Sequence, residues 1–139
     1  PMMLDDLGLI PTLKRYVENF SEKSNIPTNL SISGKERRMP LYTEVTVFRV
    51  VQELLNNARQ HAQPTRIQIN LDIEPKLVRA VVEDDGIGFD VNEAMASARQ
   101  QKTLGIATMQ ERAEMLGGEL TFESAVGRGT KAILEIPIE

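Results

Sequence analysis

The strongest periodicity runs from Thr43 to Ala62, where Val47, Val50, Val51, Leu54, Leu55, Ala58 and Ala62 recur at helical spacing with no proline or glycine among them. Such a stripe predicts a long amphipathic helix with one face in a core. Gln63-Pro64-Thr65 ends it, because proline disfavours helical geometry in the residue before it. The pattern then changes period. Ile67, Ile69, Leu71 and Ile73 alternate with polar residues, which predicts a half-buried strand over Arg66 to Ile73. Glu74-Pro75-Lys76 reads as a turn and Leu77 to Glu83 as the antiparallel partner.

The flanks are shorter. Gly8-Leu9-Ile10-Pro11-Thr12 reads as a helix start with proline in the first turn, and Leu13, Tyr16, Val17 and Phe20 then form one apolar stripe. Asn29 to Ser33 alternates as a strand does. Asn92 to Thr103 is small and polar and is expected to be a short helix plus a mobile loop. Leu104-Gly105 leads into a stripe of Ile106, Met109, Ala113 and Leu116, which Gly117-Gly118 stops as a C-cap pair. Glu119 to Ser124 and Thr130 to Ile136 read as two closing strands joined through Gly127-Arg128-Gly129. Helices and strands mix without strict βαβ alternation, which predicts an α+β fold with helices on one face of a largely antiparallel sheet.

Composition narrows the chemistry. With 139 residues the chain suits one domain, 1–139. Zero cysteines exclude disulfides, thiolate metal sites and cysteine nucleophiles, and the single His61 excludes zinc sites built on several imidazoles. The net charge of −4 argues against a nucleic-acid surface, and no apolar run nears the ~18 residues of a membrane span. A cytoplasmic location without membrane contact is expected. The opening Pro1-Met2-Met3 is expected to mark a fragment of something longer.

Four short constellations carry candidate chemistry. Glu53 and Asn57 stand one turn apart on one face of the long helix. There the amide oxygen of Asn57 can serve Mg²⁺ and the carboxylate of Glu53 can accept a proton; taken alone, such a pair reads more often as a solvated helix face. In Asp84-Asp85-Gly86-Ile87-Gly88-Phe89 a carboxylate ends a strand, where it can accept a hydrogen bond from an exocyclic amine such as adenine's. Gly86 and Gly88 there let backbone pass close to a flat ligand or take positive φ. An acidic turn accounts for Asp85-Gly86, but not for the second glycine and the large apolar residue after it. Thr103-Leu104-Gly105-Ile106 opens a helix at a glycine, and a helix N-terminus favours phosphate oxygens. Gly127-Arg128-Gly129-Thr130 is adequately read as a hairpin turn. No P-loop, dinucleotide fingerprint or EF-hand spacing is present.

In this order the four constellations resemble the nucleotide-binding boxes of the GHKL (Bergerat-fold) ATPase superfamily of histidine kinases, gyrase, Hsp90 and MutL. Gln52-Glu53-Leu54-Leu55-Asn56-Asn57 with Arg59-Gln60-His61-Ala62 resembles the N box, and Asp84 to Phe89 the G1 box. Leu104 to Arg112 is similar to the G2 region of sensor histidine kinases of the NarL/DesK/DegS-like branch, Gly127 to Thr130 to the terminal Gly-x-Gly-Thr, and Asp6 to Pro11 to the Leu-Gly-Leu run of that branch. The resemblance spans essentially the whole chain. It implies a two-layer α/β sandwich, a mixed, mostly antiparallel sheet covered on one face by helices. It also implies an ATP-binding catalytic domain that uses ATP and Mg²⁺. Asn57 would be the Mg²⁺ ligand, Glu53 the general base or polariser, and Asp84 the acceptor for adenine N6. Gly86 and Gly88 would shape the adenine pocket, Gly105 would hinge a lid over the phosphates, and Thr130 would support Asp84.

The implied reaction passes the γ-phosphoryl group to a histidine on a separate upstream dimerisation domain, for relay to a LuxR/NarL-type response regulator. Without that domain the piece would be monomeric and could not complete the reaction. His61 is read as an ordinary helix-end histidine and not the phosphoacceptor. Gln60 stands where family members often carry lysine, which leaves Arg59 as the neighbouring cation, and Thr108 stands where many G2 regions carry a second glycine. Competing readings are a GHKL anti-sigma-factor serine kinase, another GHKL ATPase that uses water, and a degenerate module that binds a partner without nucleotide. Phosphoserine product would mark the first, and ATP titration would separate the last.

Overall fold

The computed structural model describes residues 2–93 and 105–138. In chain order these form α1 (Met2–Leu7), α2 (Leu9–Ser24), β1 (Thr28–Gly34), α3 (Leu41–Asn57), a π-helical turn (Ala58–Ala62), β2 (Ile67–Ile73), β3 (Leu77–Asp84), α4 (Ile106–Met115), β4 (Glu119–Ser124) and β5 (Thr130–Pro137). The five strands make one sheet in the order β1-β2-β3-β5-β4. β1 lies parallel to β2, and the other neighbours are antiparallel. The expected mixed, mostly antiparallel sheet is therefore found.

Period-2 alternation decides which sheet face is covered. Ile67, Ile69, Leu71 and Ile73 of β2 are buried, as are Val78, Ala80 and Val82 of β3 and Ala132, Leu134 and Ile136 of β5. They face the helices, whose own stripe residues Leu13, Val17, Val47, Val51, Leu55, Met109 and Ala113 complete the core. The opposite face carries Arg79 paired with Glu135, Glu74 and Asp72. Leu55 is fully buried at the centre of the stripe. Leu55→Ala is expected to cost about 2–5 kcal/mol, as a cavity-forming truncation does. Chemical denaturation should show it as a lower midpoint at unchanged slope.

Several boundaries depart from expectation. The first residues form α1, which sends Leu4 into the core; six residues are too few to show a helical period. The long helix starts at Leu41, just after Pro40, and leaves α-geometry at Asn57, where a wider π turn carries it to Ala62. β3 extends one residue further, to Asp84. Of the stretch 92–103, only 92 and 93 are described, both helical, and the loop read over the remainder lies outside the described residues. The Gly117-Gly118 stop is a Schellman motif, with Gly117 N–H bonded to Glu114 O at 2.9 Å and Gly118 N–H to Ala113 O at 2.9 Å.

Candidate functional site

The three strand ends, the end of α3 and the start of α4 converge on one side of the sheet. Between them lies a cavity of about 310 Å³. Leu54 and Asn57 reach it from α3, and Ala58, His61 and Ala62 from the π turn. Val82 and Asp84 come from β3, Thr130 and Ala132 from β5, and Ile87, Gly88 and Phe89 from the loop after β3. Phe122 of β4 and Ile106 of α4 close the far wall, with the Phe89 and Phe122 rings edge to face at 6.0 Å. An apolar box with a few convergent polar groups is the usual form of a small-ligand site.

The loop Asp85 to Phe89 is wedged between two backbones, and this is where the glycines are needed. The Ile87 N–H donates to Ala62 O at 2.8 Å, so the loop supplies a partner to a carbonyl that the helix end leaves open. A Cβ on the neighbouring Gly86 would stand 2.3 Å from that same oxygen. Gly88 takes φ +68°, and a Cβ there would meet Ala125 O at 2.1 Å. Contact bars a side chain at both positions, and at Gly88 the left-handed backbone does so as well.

The adjacent carboxylates diverge. Asp85 is exposed and accepts from the Thr65 hydroxyl, from Thr65 N–H at 2.8 Å and from Arg66 N–H at 3.1 Å. These bonds, the Thr65 hydroxyl first, hold its carboxyl below the usual range. It ties the loop before β2 to the end of β3. Asp84 turns instead into the cavity. Burial raises its carboxyl above the usual range, opposed by the Gly86 N–H, which donates to Oδ1 at 2.8 Å, and by the Thr130 N–H. A shift dominated by burial in a cleft is typical of a functional carboxylate.

Four of the seven residues expected at a site, Asn57, Asp84, Gly88 and Thr130, thus line one cavity. The other three are not among its lining residues. Gly86 packs on the helix end and not on the cavity. Gly105, at φ +65°, is the N-cap of α4, and Glu53 lies against it, with Oε1 2.7 Å from where a Gly105 Cβ would stand. Leu104 and the lid expected before it lie outside the described residues. Arg59 opens onto a separate groove with Tyr16, Lys23 and Asn56. His61, read as an ordinary helix-end residue, lies in the π turn and sits on the cavity wall. No pattern in the sequence signals that turn. Phe89 enters the sequence reading only as the large apolar residue that ends the Asp84 to Phe89 motif, and Phe122 stands in no motif.

Residues 42–139 match the family described as histidine kinase-, DNA gyrase B-, and HSP90-like ATPase. The chain is 39% identical over 137 residues to the signal transduction histidine-protein kinase/phosphatase DegS of Brevibacillus brevis, covering 99% of this chain and 34% of that protein. It is 34% identical over 138 residues to the oxygen sensor histidine kinase NreB of Staphylococcus carnosus, covering 99% and 39%. The histidine kinase domain of the Erythrobacter litoralis EL346 blue-light activated histidine kinase superposes with a TM-score of 0.70 at 25% identity, covering 91% of this chain and 59% of that one. The chain spans little more than a third of the length of these curated relatives.

Proposed function

This chain belongs to the histidine kinase-, DNA gyrase B-, and HSP90-like ATPase family, in company with histidine kinases, and from that membership we propose that it binds Mg-ATP and donates the γ-phosphoryl group to a histidine on a separate dimerisation domain. A LuxR/NarL-type response regulator, in the cytoplasm, would then receive the phosphoryl group on an aspartate. In this reading 1–139 works as one catalytic domain. The observation that supports it most is the placing of Asp84 and Asn57 on one cavity.

The roles follow from position. Asp84 accepts from the adenine amine at the buried end of the cavity. Leu54, Ala58, Val82, Ala132 and the Phe89–Phe122 pair sandwich the base. Asn57 stands nearer the helix side and would offer its amide oxygen to Mg²⁺, a hard ion that takes one or two protein oxygens and completes its shell with phosphate and water. The bound ion neutralises phosphate charge, which is most of what phosphoryl transfer asks of a protein. Glu53, one turn before Asn57, would accept the proton or polarise the attacking nitrogen. Gly105 leaves room for that carboxylate at the N-terminus of α4.

Titration with ATP, with and without Mg²⁺, tests the reading. Saturable binding strengthened by Mg²⁺ is expected, and no binding would overturn it. Asn57→Ala is expected to weaken binding about 10- to 100-fold in Mg²⁺, the worth of one contact to a charged group, and much less in chelator. Equal losses in the two conditions would remove the metal role.

A further inference from the structure

We propose that Ser124 is a positioning residue for base selection, which fixes the hydroxyl proton of Thr130 so that Thr130, like Asp84, offers the cavity only hydrogen-bond acceptors. The inference rests on the reading of the cavity as a purine site. Ser124 ends β4 and is paired with Thr130, the first residue of β5. Its Oγ has three polar neighbours. The Phe89 N–H donates to it at 3.0 Å, Gly129 O lies at 2.8 Å, and Thr130 Oγ1 lies at 2.9 Å.

A hydroxyl has one proton and two lone pairs. Gly129 O is a carbonyl and can only accept, so the Ser124 proton is committed to it. The Phe89 N–H can only donate, and it takes one lone pair. The remaining contact, with Thr130, must therefore use the proton of Thr130. That proton points at Ser124, and Thr130 shows the cavity lone pairs alone. Its partner across the β3–β5 ladder is Asp84, whose carboxylate is likewise an acceptor. The two together select a purine edge that donates. The 6-amino group of adenine does so directly or through water, whereas the 6-oxygen of a 6-oxo purine sets oxygen against oxygen at that position and leaves only its N1–H to donate. Removing the Ser124 hydroxyl frees Thr130 to rotate and donate.

The experiment measures dissociation constants for ATP and inosine 5′-triphosphate on the unsubstituted protein, Ser124→Ala, Thr130→Val and the double variant. Ser124→Ala is expected to narrow the preference for ATP about tenfold, the worth of one hydrogen bond regained by the 6-oxo ligand. In the Thr130→Val background, where no hydroxyl remains to be oriented, Ser124→Ala should leave the preference unchanged. Ser124→Thr, which keeps the hydroxyl, should retain the original preference. A role confined to pinning Phe89 and Gly129 would weaken both nucleotides alike and persist without the Thr130 hydroxyl, and either result overturns the inference. If the unsubstituted protein binds ATP and prefers it, but Ser124→Ala leaves that preference intact, the inference alone fails. If it binds no ATP, the purine reading falls and takes this one with it.

Discussion

Asp84→Asn is expected to remove ATP binding, by at least about 100-fold, while the protein unfolds at the same or a higher denaturant concentration. The Gly86 N–H already donates to Oδ1 of Asp84. An asparagine would turn its single oxygen to that N–H and face the cavity with its amide nitrogen. A donor would then meet the donating amine of adenine. Loss of a contact to a charged group, about 1.5–3 kcal/mol, adds to the cost of unpaired buried donors, about 1–3 kcal/mol. At 1.4 kcal/mol per factor of ten, these give the stated loss.

The stability side follows from burial, which raises the folded-state pKa of Asp84. A carboxyl that binds its proton more tightly in the folded state favours folding at acid pH. It costs stability once the pH rises above the unfolded value and the buried group must ionise. At neutral pH a neutral amide escapes that cost. The same shift predicts the pH dependence of binding: ATP affinity should fall on the acid side at a pH above the range of an ordinary aspartate, as Asp84 takes up its proton. Calorimetric titration across pH, with Asp84→Asn as the flat control, checks both. Unchanged ATP affinity in the variant would remove Asp84 from the base site.

Glu53→Gln is the second large expectation. It should leave ATP affinity within about a factor of two and slow transfer to an added acceptor-histidine domain by about 10²–10⁴-fold, the usual worth of a general base. Glutamine keeps the shape, and Glu53 is not among the residues of the cavity wall, so binding of the base has no reason to change. What is lost is the carboxylate beside the start of α4, where Glu53 rests on Gly105. Single-turnover transfer from labelled ATP isolates this step. Full transfer would leave Glu53 a packing residue between two helices.

Much of this was legible along the chain because burial imposes a period. The stripe of α3, the alternation of β2 and the double-glycine stop of α4 are each found, although α3 gives way to a π turn before its stripe ends. The resemblance to the ATPase family is borne out by the family match and the histidine-kinase relatives, since its boxes consist of residues with few substitutes, such as Gly86 and Gly88, which press on neighbouring backbone. Local pattern does not carry contacts between distant segments. Without the resemblance, Asp84 and Asp85 are equivalent acids at a strand end. They part only because Thr65 and Arg66, some twenty residues earlier, capture one, and the cavity encloses the other.

The chain's own hydrophobic rhythm sufficed for the helices, the strands and the face of the sheet they share, because those depend on spacing between near neighbours. The cavity that His61 lines, the burial that perturbs Asp84, and the three-way hydrogen bonding of Ser124 depend on groups meeting across the fold. Such meetings set the dielectric and the proton positions of a site, and these emerge only when α3, the loop after β3 and the β4–β5 turn close on one another.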